Sequence, residues 1–164
     1  MSSNAEYMND DTGIAVIGMA GRFPGARNIA EFWRNLRDGR CSITRYTDEE
    51  LLKRGVDPSL VHNKNYVKTG YTIEDAEYFD ASFFGYTPRE AECMDPQHRL
   101  FLECAWETFE DAGYNPETYP GLIGLYAGCG TNKYILKNII GNKKLVELVG
   151  DFELMLDNDK DYLA

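Results

Sequence analysis

The sequence predicts an α/β protein of the layered kind, with a sheet covered by helices on both faces, and predicts that this chain holds only part of it. Ile14-Ala-Val-Ile-Gly-Met19 and Gly121-Leu-Ile-Gly-Leu-Tyr-Ala-Gly128 are apolar runs without polar alternation, the pattern of strands buried on both sides. Between them runs a helix-patterned block ending near Ala112 that is apolar around most of its circumference. Two strands of that type cannot form a stable sheet by themselves. The fold therefore calls for neighbours that these residues do not supply.

The elements follow in chain order. Met1 to Thr12 is polar and acidic and reads as a flexible leader, leaving 13–164 as the structured part. After the first apolar run, Gly18, Gly21, Pro24 and Gly25 make a loop. Asn28 can cap a helix whose apolar positions Ile29, Phe32, Trp33 and Leu36 recur at helical spacing, with Gly39 ending it. Arg40 to Tyr86 reads as mostly irregular, with a short helix over Asp48–Arg54 capped by Thr47 and stopped by Gly55. Its aromatics, Tyr66, Tyr71, Tyr78, Phe79, Phe83, Phe84 and Tyr86, are too many for a disordered segment, so it is expected to pack onto a core.

Thr87-Pro-Arg-Glu90 is a capping box with proline at the first helical position. Asp95-Pro96 starts a second, longer helix ending at Gly113, with a narrow polar stripe of Arg99, Glu103, Glu107 and Glu110. That stripe predicts a helix buried on more than one side. A further helix is expected over Asn132–Ile140, then an amphipathic segment using Leu145, Leu148, Val149, Phe152 and Leu156.

Composition narrows the function classes. The 164 residues, 43% hydrophobic, suffice for one domain with a real core, and 17 basic against 27 acidic residues give a net charge of −10. Such a surface repels nucleic acid and anionic membranes, so neither is expected as a partner. No apolar run reaches the roughly 20 residues of a membrane span and no signal-peptide layout is present, so a cytoplasmic location is expected. Cys41, Cys93, Cys104 and Cys129 show no paired spacing, and with only His62 and His98 available no zinc pattern forms. Reduced, scattered thiols and no bound metal are the expectation.

The motif-like spots have ordinary readings. Gly18-Met-Ala-Gly21 and Gly128-Cys-Gly-Thr-Asn-Lys133 fit neither dinucleotide nor P-loop spacing. Cys129 sits where a strand ends and a helix begins, a setting that activates thiols, yet Ala127 stands where a nucleophile elbow needs glycine. It is read as an ordinary buried cysteine, with an acyl-thioesterase-like use of it as a rival. His98 lies in a first helical turn, where a positive charge is unfavourable, and reads as a neutral structural histidine. Asp95 and Glu90 are explained as caps.

Several blocks, in order, resemble the N-terminal part of the β-ketoacyl synthase (ketosynthase) domains of modular polyketide synthases. These are Ile14–Gly39 (IAVIGMAGRFPGARNIAEFWRNLRDG), Tyr78–Gly113 (YFDASFFGYTPREAECMDPQHRLFLECAWETFEDAG), Gly124–Ile135 (GLYAGCGTNKYI) and Val149–Ala164 (VGDFELMLDNDKDYLA). The resemblance implies a thiolase-like α/β/α/β/α fold, of which this chain is the incomplete N-terminal part, and a homodimer in the intact enzyme. It also implies decarboxylative Claisen condensation of acyl and malonyl-type thioesters carried on the phosphopantetheine of a partner acyl carrier protein, with no cofactor bound directly. The family's nucleophile motif, of T-A-C-S type, and its H-G-T-G-T-type histidine motif are not found here. The resemblance therefore assigns no catalytic, cofactor-binding or metal residue to this chain, which is expected to stop short of the catalytic cysteine and to be inactive alone. Partners implied are the rest of the ketosynthase and the carrier protein, for which Arg34, Arg37 and Arg40 form a candidate docking patch. The alternatives are a stand-alone interaction or scaffold protein derived from a ketosynthase, and a non-elongating ketosynthase that only passes acyl chains along.

Overall fold

The computed structural model describes residues 13–142 and Glu147. The leader, the end of the 13–164 unit and the amphipathic segment at Leu145–Leu156 lie outside the described residues. Among these, five α-helices and a short ladder follow in order: α1 (Ile29–Arg37), β1 (Thr44–Arg45), α2 (Asp48–Lys53), α3 (Pro58–Val61), β2 (Thr69–Gly70), α4 (Pro88–Cys93) and α5 (Pro96–Ala112), then a π-helical turn at Ile135–Ile139.

Helix ends obey local chemistry. Asn28 Oδ1 accepts the Glu31 N–H at 2.9 Å and opens α1. Thr47 and Thr87 each form a complete capping box, with Glu50 and Glu90. Asp95 accepts the Gln97 N–H at 2.9 Å, and Pro96 fills the first position of α5, where a missing N–H costs nothing. Gly113 closes α5 at φ 72°, the left-handed conformation that a side chain resists.

The sheet differs from expectation. The only ladder among the described residues is antiparallel, pairing Thr44 with Gly70 and Arg45 with Thr69, inside the segment expected to be loop. The runs Ile14–Met19 and Gly121–Gly128, expected as buried strands, form no ladder. They are ribbons whose apolar side chains face solvent: Ile14 is 95% exposed, Leu122 103% and Tyr126 100%. A strand's backbone groups are satisfied only by a neighbour, and the described residues hold none for these two.

The core is correspondingly small. Val61, Cys93 and Ile139 are its fully buried side chains among the described residues, and Ile139 packs directly on Cys93 beside Tyr134 and Ile135. The helix expected over Asn132–Ile140 is present as the π turn, with Asn132 Oδ1 accepting from the Tyr134 and Ile135 N–H groups at 2.9 and 3.2 Å. Helix α5 is less enclosed than its sequence suggests. Its buried residues are His98 and Arg99, while Leu100 to Phe109 are half-buried apart from the more exposed Trp106. The aromatic loop packs down only in part: Phe79 stacks on Phe84, and Phe83 sets its edge on Trp106 of α5 at 4.8 Å, but Tyr71, Tyr78 and Phe83 remain more than half exposed.

Candidate functional site on the longest helix

Helix α5 (Pro96–Ala112) carries the contacts that bring together the first ribbon, its loop and the stretch just past the second ribbon. On one side the loop after the first ribbon is clamped by Arg22, whose Nη1 donates to Glu107 Oε2 at 2.6 Å while Nη2 donates to Glu107 Oε1. Glu103, one turn earlier, lies 3.8 Å from the same guanidinium. This forked pair is the geometry in which arginine binds a carboxylate best. The Arg22 hydrogen bond holds the Glu107 carboxyl below its ordinary range, whereas burial pushes Glu103 above it. Burial likewise raises the Cys104 thiol, against a smaller opposing pull from Arg22.

The first ribbon lies along the far end of α5. Met19 N–H donates to Asp111 Oδ2 at 2.9 Å. Gly18 sits so close that an added Cβ would meet Thr108 O at 2.5 Å and Ala112 Cβ at 2.8 Å. Only glycine permits that approach. Between this ribbon, α5 and the second ribbon runs an apolar groove of about 430 Å³, lined by Val16, Ile17, Phe109, Ala112, Leu122 and Ile123 among others. An unpaired backbone flanking an apolar groove offers hydrogen bonds and burial to further chain. Among the described residues its lining holds no carboxylate, histidine, lysine or cysteine, only the hydroxyls of Thr108, Tyr114 and Tyr119.

A second cavity, of about 320 Å³, opens nearer the start of α5 and is bordered by Arg22, Ile73, Gln97, Leu100, Cys104 and Cys129. Gln97 Oε1 accepts the Gly130 N–H at 2.8 Å and so holds the Gly128–Gly130 stretch against the helix. No histidine lines this cavity among the described residues. His62 is the C-cap of α3, and His98 is buried in the first turn of α5 with 4% of its surface exposed.

The other residues singled out in the sequence are placed as follows. Glu90 and Asp95 act as caps, and the hydrogen bonds from Thr87 lower the Glu90 pKa. Arg34, Arg37 and Arg40 are exposed, with Asp38 at 3.2 Å from Arg37 and 4.0 Å from Arg40. Cys41 is exposed and Cys93 buried. Among the described residues no group of three or more His, Cys, Asp or Glu could hold a metal ion, and no helix is long and apolar enough to cross a membrane. Sequence reasoning missed Arg22. It stands 85 positions from Glu107, and only the fold brings them together.

The α5 platform with its two flanking ribbons is thus one part of a layered α/β architecture. Residues 11–157 match the family model for the β-ketoacyl synthase N-terminal domain, and the chain belongs to the β-ketoacyl synthase family. It is similar to a phenolphthiocerol/phthiocerol polyketide synthase polypeptide of Mycobacterium tuberculosis, at 41% identity over 160 residues, covering 94% of this chain and 11% of that protein. Polyketide synthase PksL of Bacillus subtilis is 50% identical over 135 residues, covering 75% of this chain and 3% of that one. Among solved structures, ketosynthase twelve of the bacillaene polyketide synthase of Bacillus amyloliquefaciens superposes with a TM-score of 0.55 at 47% identity, covering 61% of this chain and 18% of that chain. The chain thus spans about a tenth or less of the length of the first two relatives. Its fold is the N-terminal portion of the thiolase-like ketosynthase fold.

Proposed function

We propose that this chain supplies the N-terminal platform of a polyketide ketosynthase. The complete enzyme would condense an acyl thioester with a malonyl-type thioester on acyl carrier protein, losing carbon dioxide and forming a carbon–carbon bond. The observation that carries this reading is the pair of solvent-facing apolar ribbons on α5, within a chain whose residues 11–157 match the ketosynthase N-terminal domain. Apolar surface of that extent is stable when further strands and helices of one domain cover it.

In this role the chain shapes and supports the enzyme. The Arg22–Glu107 clamp fixes the first ribbon's loop, α5 backs the sheet, and the nucleophile and histidines come from chain outside these residues. The residues 13–164 act as one structural unit, none of them a catalytic, metal-binding or cofactor-binding group. The acyl groups arrive on the phosphopantetheine arm of the carrier protein, and the complete domain works as a homodimer in the cytoplasm.

The test is complementation. The chain is joined to the downstream part of a related polyketide ketosynthase and supplied with acyl and malonyl thioesters of a small thiol. The fusion is expected to release the β-keto product while the 164-residue chain alone releases none. Condensation by the chain alone, or a folded fusion without any product, would overturn the reading.

A further inference from the structure

From the cavity beside α5 we infer that Cys104 and Cys129 form an oxidisable thiol pair, a modification site at which a peroxide closes a disulfide joining α5 to the second ribbon. The two side chains line one cavity of about 320 Å³ and both are partly accessible. They are 25 positions apart in sequence, and no other cysteine lines that cavity among the described residues.

The backbone around the two thiols differs in a useful way. Cys104 is held rigidly in the middle of α5, its carbonyl also accepting the Thr108 hydroxyl at 2.7 Å. Cys129 lies in an irregular stretch between Gly128 and Gly130, so its backbone turns with little steric resistance. Space is open around the Cα of Gly128, where an added Cβ would meet nothing within 4 Å. The Gln97–Gly130 hydrogen bond tethers this glycine-flanked tripeptide to the first turn of α5. A disulfide needs its Cβ atoms about 3.5–4.5 Å apart, so the glycine-flanked stretch must carry Cys129 to that distance from the fixed α5.

The chemistry balances with a peroxide as the named oxidant. With burial keeping the Cys104 thiol protonated, the Cys129 thiolate attacks a peroxide oxygen, the O–O bond breaks, and sulfenic acid and one water form. The second thiol then displaces the sulfenic oxygen: the S–S bond forms, the S–O bond breaks, and a second water leaves. Closure staples the second ribbon to α5. Thiol reductants reverse it.

Sequence makes the test clean. No Lys or Arg lies between Leu100 and Lys133, so one tryptic peptide carries Cys104 and Cys129 and neither Cys41 nor Cys93. The full chain is treated with hydrogen peroxide and free thiols are blocked with iodoacetamide. The expected result is that this peptide loses two hydrogens and takes up no label, and that cleavage after Glu103, Glu107 and Glu117 leaves Cys104–Glu107 joined to the fragment holding Cys129. Dithiothreitol should restore two labelled thiols. Cys129→Ser should abolish the linked product and leave Cys104 alkylated. Independent labelling of both cysteines after peroxide, sulfonic acids without a linked species, or a linkage involving Cys41 or Cys93 instead would overturn the inference. The wild-type peptide map decides the matter even if the serine variant fails to fold.

Discussion

Two regions of this molecule carry comparable apolar character and meet opposite fates. From Thr87 to Gly113 the chain folds into α4 and α5, with capping side chains at both starts and a left-handed glycine at the end. From Ile14 to Met19 and from Gly121 to Gly128, equally apolar sequence forms no element at all. A helix closes its hydrogen bonds within its own segment, so nearby residues decide whether it forms. A strand leaves every bond to a neighbour that can lie far along the chain. The difference teaches that apolar sequence specifies structure only where its partners are within reach.

The largest effect expected from breaking this comparison lies in the small core. Ile139 is 1% exposed and packs on Cys93, so Ile139→Ala should cost about 2–4 kcal/mol through lost burial and the cavity left behind. Chemical denaturation of variant and parent would measure it. A loss below about 1 kcal/mol would mean that the Cys93–Ile139 contact is not what holds the π turn against α4.

Next comes the clamp. Arg22 and Glu107 have side chains 20% and 41% exposed, so solvent screens part of their attraction. Arg22→Ala should cost about 1–2 kcal/mol, the range of a charge-assisted hydrogen bond reduced for that screening. The pH dependence has a definite sign. Glu107 has a folded pKa below its ordinary 4.5, so its contribution is present above that value and lost as pH falls through the lowered one. Glu103, raised by burial, works the other way: its contribution is present below 4.5 and lost as pH rises through the raised value. Melting curves between about pH 3 and pH 7 should show a shallower acid decline in the Arg22→Ala variant than in the parent.

The sequence exposed the helical half of this picture because the signals are local. Asn28, Thr47, Thr87 and Asp95 all cap where their side-chain chemistry says they should, and Gly39, Gly55 and Gly113 stop helices at φ 64°, 77° and 72°. The same logic would have found α3, since Asp57 caps it and Pro58 begins it. The two-residue ladder between Thr44–Arg45 and Thr69–Gly70 was not legible, being too short to show a period. Neither was the burial of Arg99, placed by the sequence in the polar stripe of α5, whereas buried His98 fits its reading as a structural histidine. Arg99 reaches the Glu77 carbonyl at 3.4 Å across the aromatic loop, a contact 22 positions away. At the candidate site, the apolar ribbons were readable as strands in need of company. The Arg22 clamp was not, because an ion pair over 85 positions leaves no periodic trace.

The caps give a smaller effect on the helical side. Thr87→Ala removes the side-chain acceptor for the Glu90 N–H and should cost about 1 kcal/mol. Gly113→Ala should cost a similar amount, because alanine resists φ 72°. A thermal melt of each variant checks both. If neither moved the transition, α4 and α5 would be held by packing and their terminal chemistry would be incidental.

The smallest effect is the most discriminating. Leu122→Ala deletes apolar volume from a ribbon side chain that is fully exposed here, so in the 164-residue chain it should change stability by less than about 0.5 kcal/mol. Inside a completed ketosynthase the same change should cost about 2–5 kcal/mol, because a strand buried on both faces loses packing when its leucine is truncated. Ile139→Ala should instead cost nearly the same in both settings, since its partners Cys93, Tyr134 and Ile135 lie within this chain. The pair of substitutions therefore works as a ruler, one reading contacts made here and the other reading contacts made by added chain. Equal responses of Leu122→Ala in the two settings would show that the second ribbon stays bare even in the larger enzyme, and the contrast between helix and ribbon would then owe nothing to missing neighbours.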